Sequence, residues 1–193
     1  DAREGVTDQD LHLIGLAVER GRAIVIGVNK WDGLPPAERA RVQTEVDRKL
    51  DFVSYARRHY LSALHGSGIA ELVRSALAAY DAAGADLPTP RLTELLHQAT
   101  TAHAPPMFRG RQIRLRYAHQ GGRYPPVIVV HGTQAERTPD GYRRYLENRI
   151  RDVLGFHGAT IRLVFRNRGT ARPRHRRAGR RAAGQGRGAR APS

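Results

Sequence analysis

Four consecutive residues, Asn29-Lys30-Trp31-Asp32, have the side-chain types and the spacing that recognition of a guanine base requires. Guanine presents two adjacent donors, N1–H and the exocyclic amine, and the two oxygens of the Asp32 carboxylate match both. Adenine has an acceptor at N1 and lacks that amine, so the same carboxylate would reject it. Asn29 suits the O6/N7 edge, and Lys30 can lay its aliphatic stem over the base. The tetrapeptide predicts a guanine-specificity loop.

A second loop, Ser62-Ala63-Leu64, follows a short run at Arg58–Leu61, and Gly66-Ser67-Gly68 then opens a helix. The order of strand, Asn-Lys-x-Asp, helix, strand, Ser-Ala-x and helix resembles that of GTP-binding proteins, in which the second loop donates backbone N–H groups to guanine O6. The alternative is an ordinary loop of a βαβ unit with incidental polar residues. The predicted nucleotide-binding residues are Asn29, Lys30, Trp31, Asp32, Ser62, Ala63 and Leu64.

The elements around these loops predict an α/β fold in residues 1–84. The apolar run Ala23–Val28 is typical of a buried strand, and ligands bind at the carboxyl ends of such strands. Thr7 and Asp10 form a possible capping box at the start of the first helix. The last helix of this half is expected to bury one apolar stripe, formed by Ile69, Leu72, Val73, Ala76, Leu77 and Tyr80. We interpret this half as the C-terminal part of a doubly wound, P-loop-type G domain whose sheet has an unpaired edge.

A phosphate-binding loop is not found in the sequence. Such a loop needs Gly-x-x-x-x-Gly-Lys-Ser/Thr, whose amides and lysine hold the phosphates. The two lysines, Lys30 and Lys49, follow Asn29 and Arg48, so there is no Gly-Lys pair. We therefore expect a fragment of a nucleotide site that does not hydrolyse GTP by itself and has no residues for Mg²⁺.

After a linker predicted at residues 85–90, the pattern changes to α-β-β-α-β, which predicts a small α+β domain at residues 91–168. The segment Gln112–Tyr117 alternates, with Arg114 and Arg116 on the outer face. Its predicted inner face contains Ile113, Leu115 and Tyr117. Helix residues Tyr142 and Tyr145 also fall at core spacing. Arg114 and Arg116 either contact RNA backbone or form an ordinary solvated face.

This half resembles the KH-like C-terminal domain of the bacterial Der (EngA) family of GTPases. The resemblance is strongest at Tyr145-Leu146-Glu147-Asn148, Gly155-Phe156 and Ile161–Arg166, and residues 1–10 with both loops match the second G domain of the same family. It implies binding of GTP or GDP with Mg²⁺ in an intact family member, and a role with the large ribosomal subunit or its rRNA. It also implies that only the guanine contacts are carried by this chain.

The segment Gly155-Phe156-His157-Gly158 has the spacing of the loop with which KH domains bind RNA. It lies between a predicted helix and a predicted strand rather than between two helices. We therefore interpret it as a helix stop followed by a turn.

Charge is concentrated at the C-terminal end of the chain. The net charge is +15, and residues 166–193 contain ten arginines and no acidic residue, which leaves +5 for residues 1–165. Residues 169–193 are expected to be disordered, because they have almost no large apolar side chains. This Arg-rich tail is either a polyanion contact or a solvated segment with a coding bias.

The remaining composition excludes several classes of protein. The absence of cysteine excludes disulfides, and no apolar stretch approaches membrane-spanning length, so a cytoplasmic protein is expected. The nine histidines lack paired ligand spacing. The leading hypothesis is a fragment of a ribosome-assembly GTPase. The alternative is a basic RNA- or ribosome-binding adaptor with a non-functional G-domain remnant.

Overall fold

The computed structural model describes residues 1–167 of the 193. We refer to residues 1–84 as the first half and to residues 85–167 as the second half. The predicted Arg-rich tail at residues 169–193 lies outside the described residues. Within residues 1–167, no helix combines the length and apolar character that are needed to cross a membrane.

The first helix, α1 (Asp8–Glu19), starts where its sequence satisfies the free backbone groups of its first turn. The Thr7 hydroxyl accepts a hydrogen bond of 3.2 Å from the Asp10 N–H, and the Asp10 carboxylate accepts one of 3.0 Å from the Thr7 N–H. The predicted capping box is therefore confirmed.

The sheet of the first half consists of two parallel strands, β1 (Ile26–Val28) and β2 (Arg58–Tyr60), connected through α2 (Pro36–Lys49). The strand predicted at Ala23–Val28 is only half as long in the structure. At Ile24 the backbone N–H donates to the carbonyl oxygen of Gly158 instead of to a neighbouring strand, which explains the shorter ladder. The core beneath the sheet contains Val28, Val42, Val46, Leu50 and Val53.

Helix α3 (Ile69–Gly84) buries only the edge of the predicted stripe: Ile69 and Leu72 are half-buried, and the other four predicted residues are exposed. Its buried residues are Ser75, Ala79 and Ala83, whereas Val73, Leu77 and Tyr80 are exposed. Small side chains face inward because the neighbours come close: an ideal Cβ on Gly158 would lie 2.7 Å from the Ala79 Cβ. Hydrophobicity alone pointed to the larger side chains.

The second half has the predicted α-β-β-α-β order. It consists of α4 (Thr89–Ala102), a short hairpin of β3 (Met107–Phe108) and β4 (Arg111–Gln112), β5 (Arg114–Gly122), β6 (Val127–Thr133), α5 (Asp140–Leu154) and β7 (Arg162–Asn167). Strand β6 is central, antiparallel to β5 and parallel to β7. The hairpin is an addition that the sequence pattern did not indicate. The fold class is the predicted one, an α/β part followed by a small α+β domain.

The prediction that Tyr117 belongs to the core of the second half is wrong. Tyr117 is 41% exposed, because the pairing of β5 with β6 shifts by one residue between Leu115 and Tyr117. A shift of one residue turns the following side chains to the other face of the sheet. Tyr142 and Tyr145 do pack against the core, as predicted.

Candidate guanine-recognition site

The two candidate loops lie side by side at the carboxyl ends of β1 and β2. The Asn29 side-chain oxygen accepts a hydrogen bond of 2.9 Å from the Ala63 N–H. The Trp31 N–H donates to the Leu61 carbonyl oxygen at 3.1 Å. These two bonds join the loops that the sequence separates by thirty residues, so the carboxylate of one and the backbone of the other border the same space.

Asp32 is an exposed acceptor at this edge. Its side chain is 36% exposed, and the neighbouring Ser62 hydroxyl is the main cause that lowers the pKa of its carboxyl, followed by its own backbone N–H. The Nε2 atom of His65 lies 3.3 Å from the Asp32 Oδ2 atom. An ionised carboxylate with two oxygens is the group that would accept from both guanine donors.

His65 was missed by the sequence reasoning. It follows the Ser-Ala-Leu loop directly, but nothing in the spacing indicated that its ring would reach Asp32. The turn from Ser62 to His65 is stabilised by a hydrogen bond of 3.3 Å from the His65 N–H to the Ser62 hydroxyl oxygen.

Lys30 and Trp31 have different surroundings. Lys30 has a left-handed backbone with φ of 64°, its ammonium pairs with the Asp1 carboxylate, and its side chain is 55% exposed. The Trp31 ring packs on the Tyr60 ring, with 4.3 Å between their centroids, and the Arg39 guanidinium lies 5.7 Å from the Trp31 centroid. Trp31 therefore stabilises the loop by packing on Tyr60 of β2, whereas Lys30 lies at the surface.

The second loop offers less backbone than predicted. Ser62 is buried, and its N–H donates to the Ser67 carbonyl oxygen at 3.0 Å. The Ala63 N–H, which we expected to donate to guanine O6, is engaged by Asn29. Leu64 is 85% exposed and presents a bare apolar side chain next in sequence to His65, the residue whose ring contacts Asp32.

The amino-terminal ends of the same two strands contact the second half. The Ile24 N–H donates to the Gly158 carbonyl oxygen at 2.8 Å, and the Gly158 N–H donates to the Tyr55 carbonyl oxygen at 2.9 Å. The hydroxyls of Tyr55 and Thr160 are 3.2 Å apart, and the Thr160 hydroxyl donates to the Arg22 carbonyl oxygen at 2.9 Å. The sequence reasoning did not find this contact, because its residues share no pattern and are as many as 138 positions apart, as for Arg22 and Thr160.

A buried arginine adds to this contact. Arg151 is 7% exposed, its guanidinium lies 4.1 Å from the Tyr55 ring centroid, and burial is the main cause that lowers its pKa. Its NH1 group donates to the Asn148 side-chain oxygen at 2.8 Å. Stacking and hydrogen bonding together stabilise a charge that burial alone would disfavour.

The Gly-x-x-Gly segment is part of the same contact. Gly155 ends α5 in the left-handed conformation with φ of 66°, which confirms the predicted helix stop. Gly158, with φ of 86°, lies against Ile24 and Ala79. The segment therefore serves packing between the two halves.

Chemistry beyond base recognition has little support within residues 1–167. These residues contain no group of three or more His, Asp or Glu side chains that could hold a metal ion. They do not fit the Mg²⁺ that the family resemblance implies, so no step of phosphate chemistry can be derived from them.

Comparison with known proteins gives two kinds of match. Residues 87–166 match the family described as the KH-domain-like C-terminal domain of EngA bacterial GTPase enzymes. GTPase Der of Marinobacter nauticus is 53% identical over 167 residues, which are 86% of this chain and 35% of that relative. GTPase Der of Hahella chejuensis is 52% identical over 167 residues, and that of Pseudomonas putida F1 is 54% identical over 166 residues.

The shares covered define the extent of the relationship. The chain spans about a third of the length of the curated relatives it matches, namely 35%, 35% and 34% for these three proteins. The matches cover 86% of this chain in each case, so they include both the loops and the second half. Residues 87–166 therefore belong to the family of KH-like C-terminal domains of EngA bacterial GTPases, and the chain as a whole is similar to about a third of GTPase Der.

Proposed function

We propose that this chain is a part of a bacterial ribosome-assembly GTPase, one that reads the guanine base of GTP or GDP and joins this site to a KH-like domain. Its nucleotide-binding residues are Asn29, Lys30, Trp31, Asp32, Ser62, Ala63 and Leu64. Mg²⁺ would be held by an intact family member rather than by the described residues. The partner is the large ribosomal subunit or its rRNA, and the compartment is the cytoplasm.

The observation that carries the proposal is the position of Asp32. Its carboxylate, whose pKa the Ser62 hydroxyl lowers, stands just after the carboxyl end of β1 and contacts His65 of the second loop. A carboxylate at this edge of an open α/β sheet lies where such folds bind ligands. The relatives, which are GTPases by name, support the choice of guanine over other bases.

Titration of the purified chain with GMP, followed by ¹⁵N chemical shifts, tests the base-reading role. We expect the amide resonances of Asp32 and Leu64 to shift with GMP and to remain unchanged with AMP at the same concentration. Because GMP and AMP carry the same ribose phosphate, a difference between the two titrations depends on the base alone. Equal shifts with AMP would refute the guanine-reading role.

The same chain is expected to show no GTP turnover. Its sequence lacks a Gly-Lys pair, and the described residues contain no group of three or more His, Asp or Glu side chains that could hold a metal ion. Release of inorganic phosphate from GTP in the presence of Mg²⁺ measures this. Turnover at the rate of an intact GTPase would contradict the proposal that this chain binds only the guanine part of the nucleotide.

A second candidate function, a basic RNA-binding adaptor, is favoured by charge. The chain has a net charge of +15, and Arg114 and Arg116 are both exposed side chains of β5. An adaptor would bind RNA equally well after Asp32→Ala, and its affinity would fall steeply with salt. Loss of RNA binding in that variant would exclude it.

A further inference from the structure

A basic cavity lies beside the β3–β4 hairpin of the second half. It has a volume of about 440 Å³ and is lined by Phe108, Arg109, Arg111, Gln134, Arg137 and Asn167. All three arginines are exposed, and none of them forms an ion pair with another of residues 1–167. We call this feature the hairpin cavity.

Two of these guanidinium groups are held in place by the same aromatic ring. The guanidinium carbons of Arg109 and Arg137 each lie 5.5 Å from the Phe108 ring centroid. Cation–π contact restricts side chains that would otherwise sample many rotamers, so a ligand would meet groups that are already oriented.

The nearest acidic residue in sequence does not neutralise these charges. Both carboxylate oxygens of Glu136 accept hydrogen bonds from Asn167, at 3.2 Å from its backbone N–H and at 2.9 Å from its side-chain amide. Arg137 is adjacent to Glu136 in the chain but forms no ion pair with it. The three arginines of the lining outnumber this one carboxylate, so the cavity keeps an excess of positive charge.

The chain continues from the cavity into its most basic segment. Asn167 lines the cavity, and residues 168–193 contain nine arginines and no acidic residue. A small anion would need only the cavity, whereas a long polyanion could contact the cavity and the following arginines together.

We propose that the hairpin cavity binds the phosphodiester backbone of RNA and that Arg109, Arg111 and Arg137 are its phosphate ligands. The choice of RNA among polyanions rests on the proposed function in ribosome assembly. The site is separate from Gly158, which is buried against Ile24 and Ala79 of the first half, and from the guanine loops.

Fluorescence anisotropy of a labelled single-stranded RNA 12-mer, with the full chain and without guanine nucleotide, tests the site. The test variant is Arg109→Gln/Arg111→Gln/Arg137→Gln. The matched control is Arg41→Gln/Arg48→Gln/Arg91→Gln, which removes three exposed helix arginines and gives the same net charge. Circular dichroism establishes that both variants are folded.

We expect the test variant to bind RNA about tenfold or more weakly in 0.15 M salt, and the control to change affinity about twofold or less. Each arginine that neutralises a phosphate of a single strand contributes about 0.7 to the slope of log K against log salt, so the slope should fall by about 2. Inorganic phosphate at 10 mM should displace little RNA if several phosphates bind together.

Equal losses in the two triple variants would overturn the site, because binding would then follow net charge alone. The site also fails if the wild-type chain does not bind the RNA, or if phosphate alone displaces it fully. A chain of residues 1–167 should still distinguish the two triple variants. These outcomes are independent of the GMP titration, so failure of the cavity and failure of guanine recognition can be told apart.

Discussion

The backbone N–H of Ile24 donates to the carbonyl oxygen of Gly158 at 2.8 Å, which places the KH-like domain at the amino-terminal end of β1. An ideal Cβ on Gly158 would lie 2.7 Å from the Ile24 carbonyl oxygen and 2.7 Å from the Ala79 Cβ. The contact between the two halves therefore requires a residue without a side chain at this position.

Gly158→Ala is expected to lower the free energy of unfolding by about 1–3 kcal/mol, because the added methyl group overpacks the contact. Its left-handed backbone, with φ of 86°, adds strain for any residue with a Cβ. Urea denaturation followed by circular dichroism measures the change. Gly141→Ala in α5 is the control, since nothing lies within 4 Å of its Cβ position, and it should be neutral or stabilising. An unchanged midpoint for Gly158→Ala would contradict the contact.

Thr160→Val should destabilise the chain more than Tyr55→Phe does. The first change leaves the Arg22 carbonyl oxygen and the Tyr55 hydroxyl without a partner, and we expect a loss of about 1–3 kcal/mol. The second change leaves the bond from Thr160 to Arg22 intact, so a loss of about 1 kcal/mol or less is expected. Unfolding of both single variants and the double variant gives their coupling, and purely additive losses would show that the two hydroxyls do not interact.

Asp32→Asn should abolish the preference for guanine. One guanine donor then faces the amide –NH₂ group, which has no lone pair to accept it. Xanthine carries a carbonyl oxygen in place of the exocyclic amine, so its monophosphate should bind the variant better than GMP does. Chemical-shift titrations with GMP, AMP and xanthosine monophosphate compare the two chains. Unchanged discrimination between GMP and AMP in the variant would exclude Asp32 as the base-reading residue.

Acid should weaken the start of α1 through Asp10. Hydrogen bonds from the Thr7 backbone N–H and hydroxyl hold the pKa of the Asp10 carboxyl below its usual 3.8. A lowered pKa in the folded state means that this stabilisation is present above about pH 4 and is lost as the pH falls through the folded-state value. The difference in unfolding free energy between the wild type and Asp10→Asn, measured from pH 5 to pH 2.5, should therefore shrink with acid. A difference that is constant over this range would refute the linkage.

Local sequence signals predicted the elements that satisfy themselves locally. The Thr7–Asp10 capping box, the stop at Gly155 and the parallel pair of strands before the two loops follow from rules that operate over a few residues. The two loops were expected to serve one site because the order of elements resembles that of GTP-binding proteins, and the structure joins them through Asn29 and Ala63.

Long-range packing decided the rest. The inner face of α3 consists of Ser75, Ala79 and Ala83, and at Ala79 the approach of Gly158 leaves no room for a larger side chain. The one-residue shift before Tyr117 depends on how β5 pairs with β6, which alternation within β5 alone does not reveal. The contact of His65 with Asp32 likewise depends on the fold of a turn rather than on spacing.

The shortness of β1 and β2 has a mechanical consequence. Each strand has three residues and spans about 10 Å; the guanine loops follow one end, and Ile24 and Tyr55, which contact the KH-like domain, lie two and three residues before the other. Close-packed interiors transmit displacement rather than absorb it. Sliding either strand along its axis would move both of its ends at once. A displacement of the guanine loops would therefore also displace the contact with the KH-like domain.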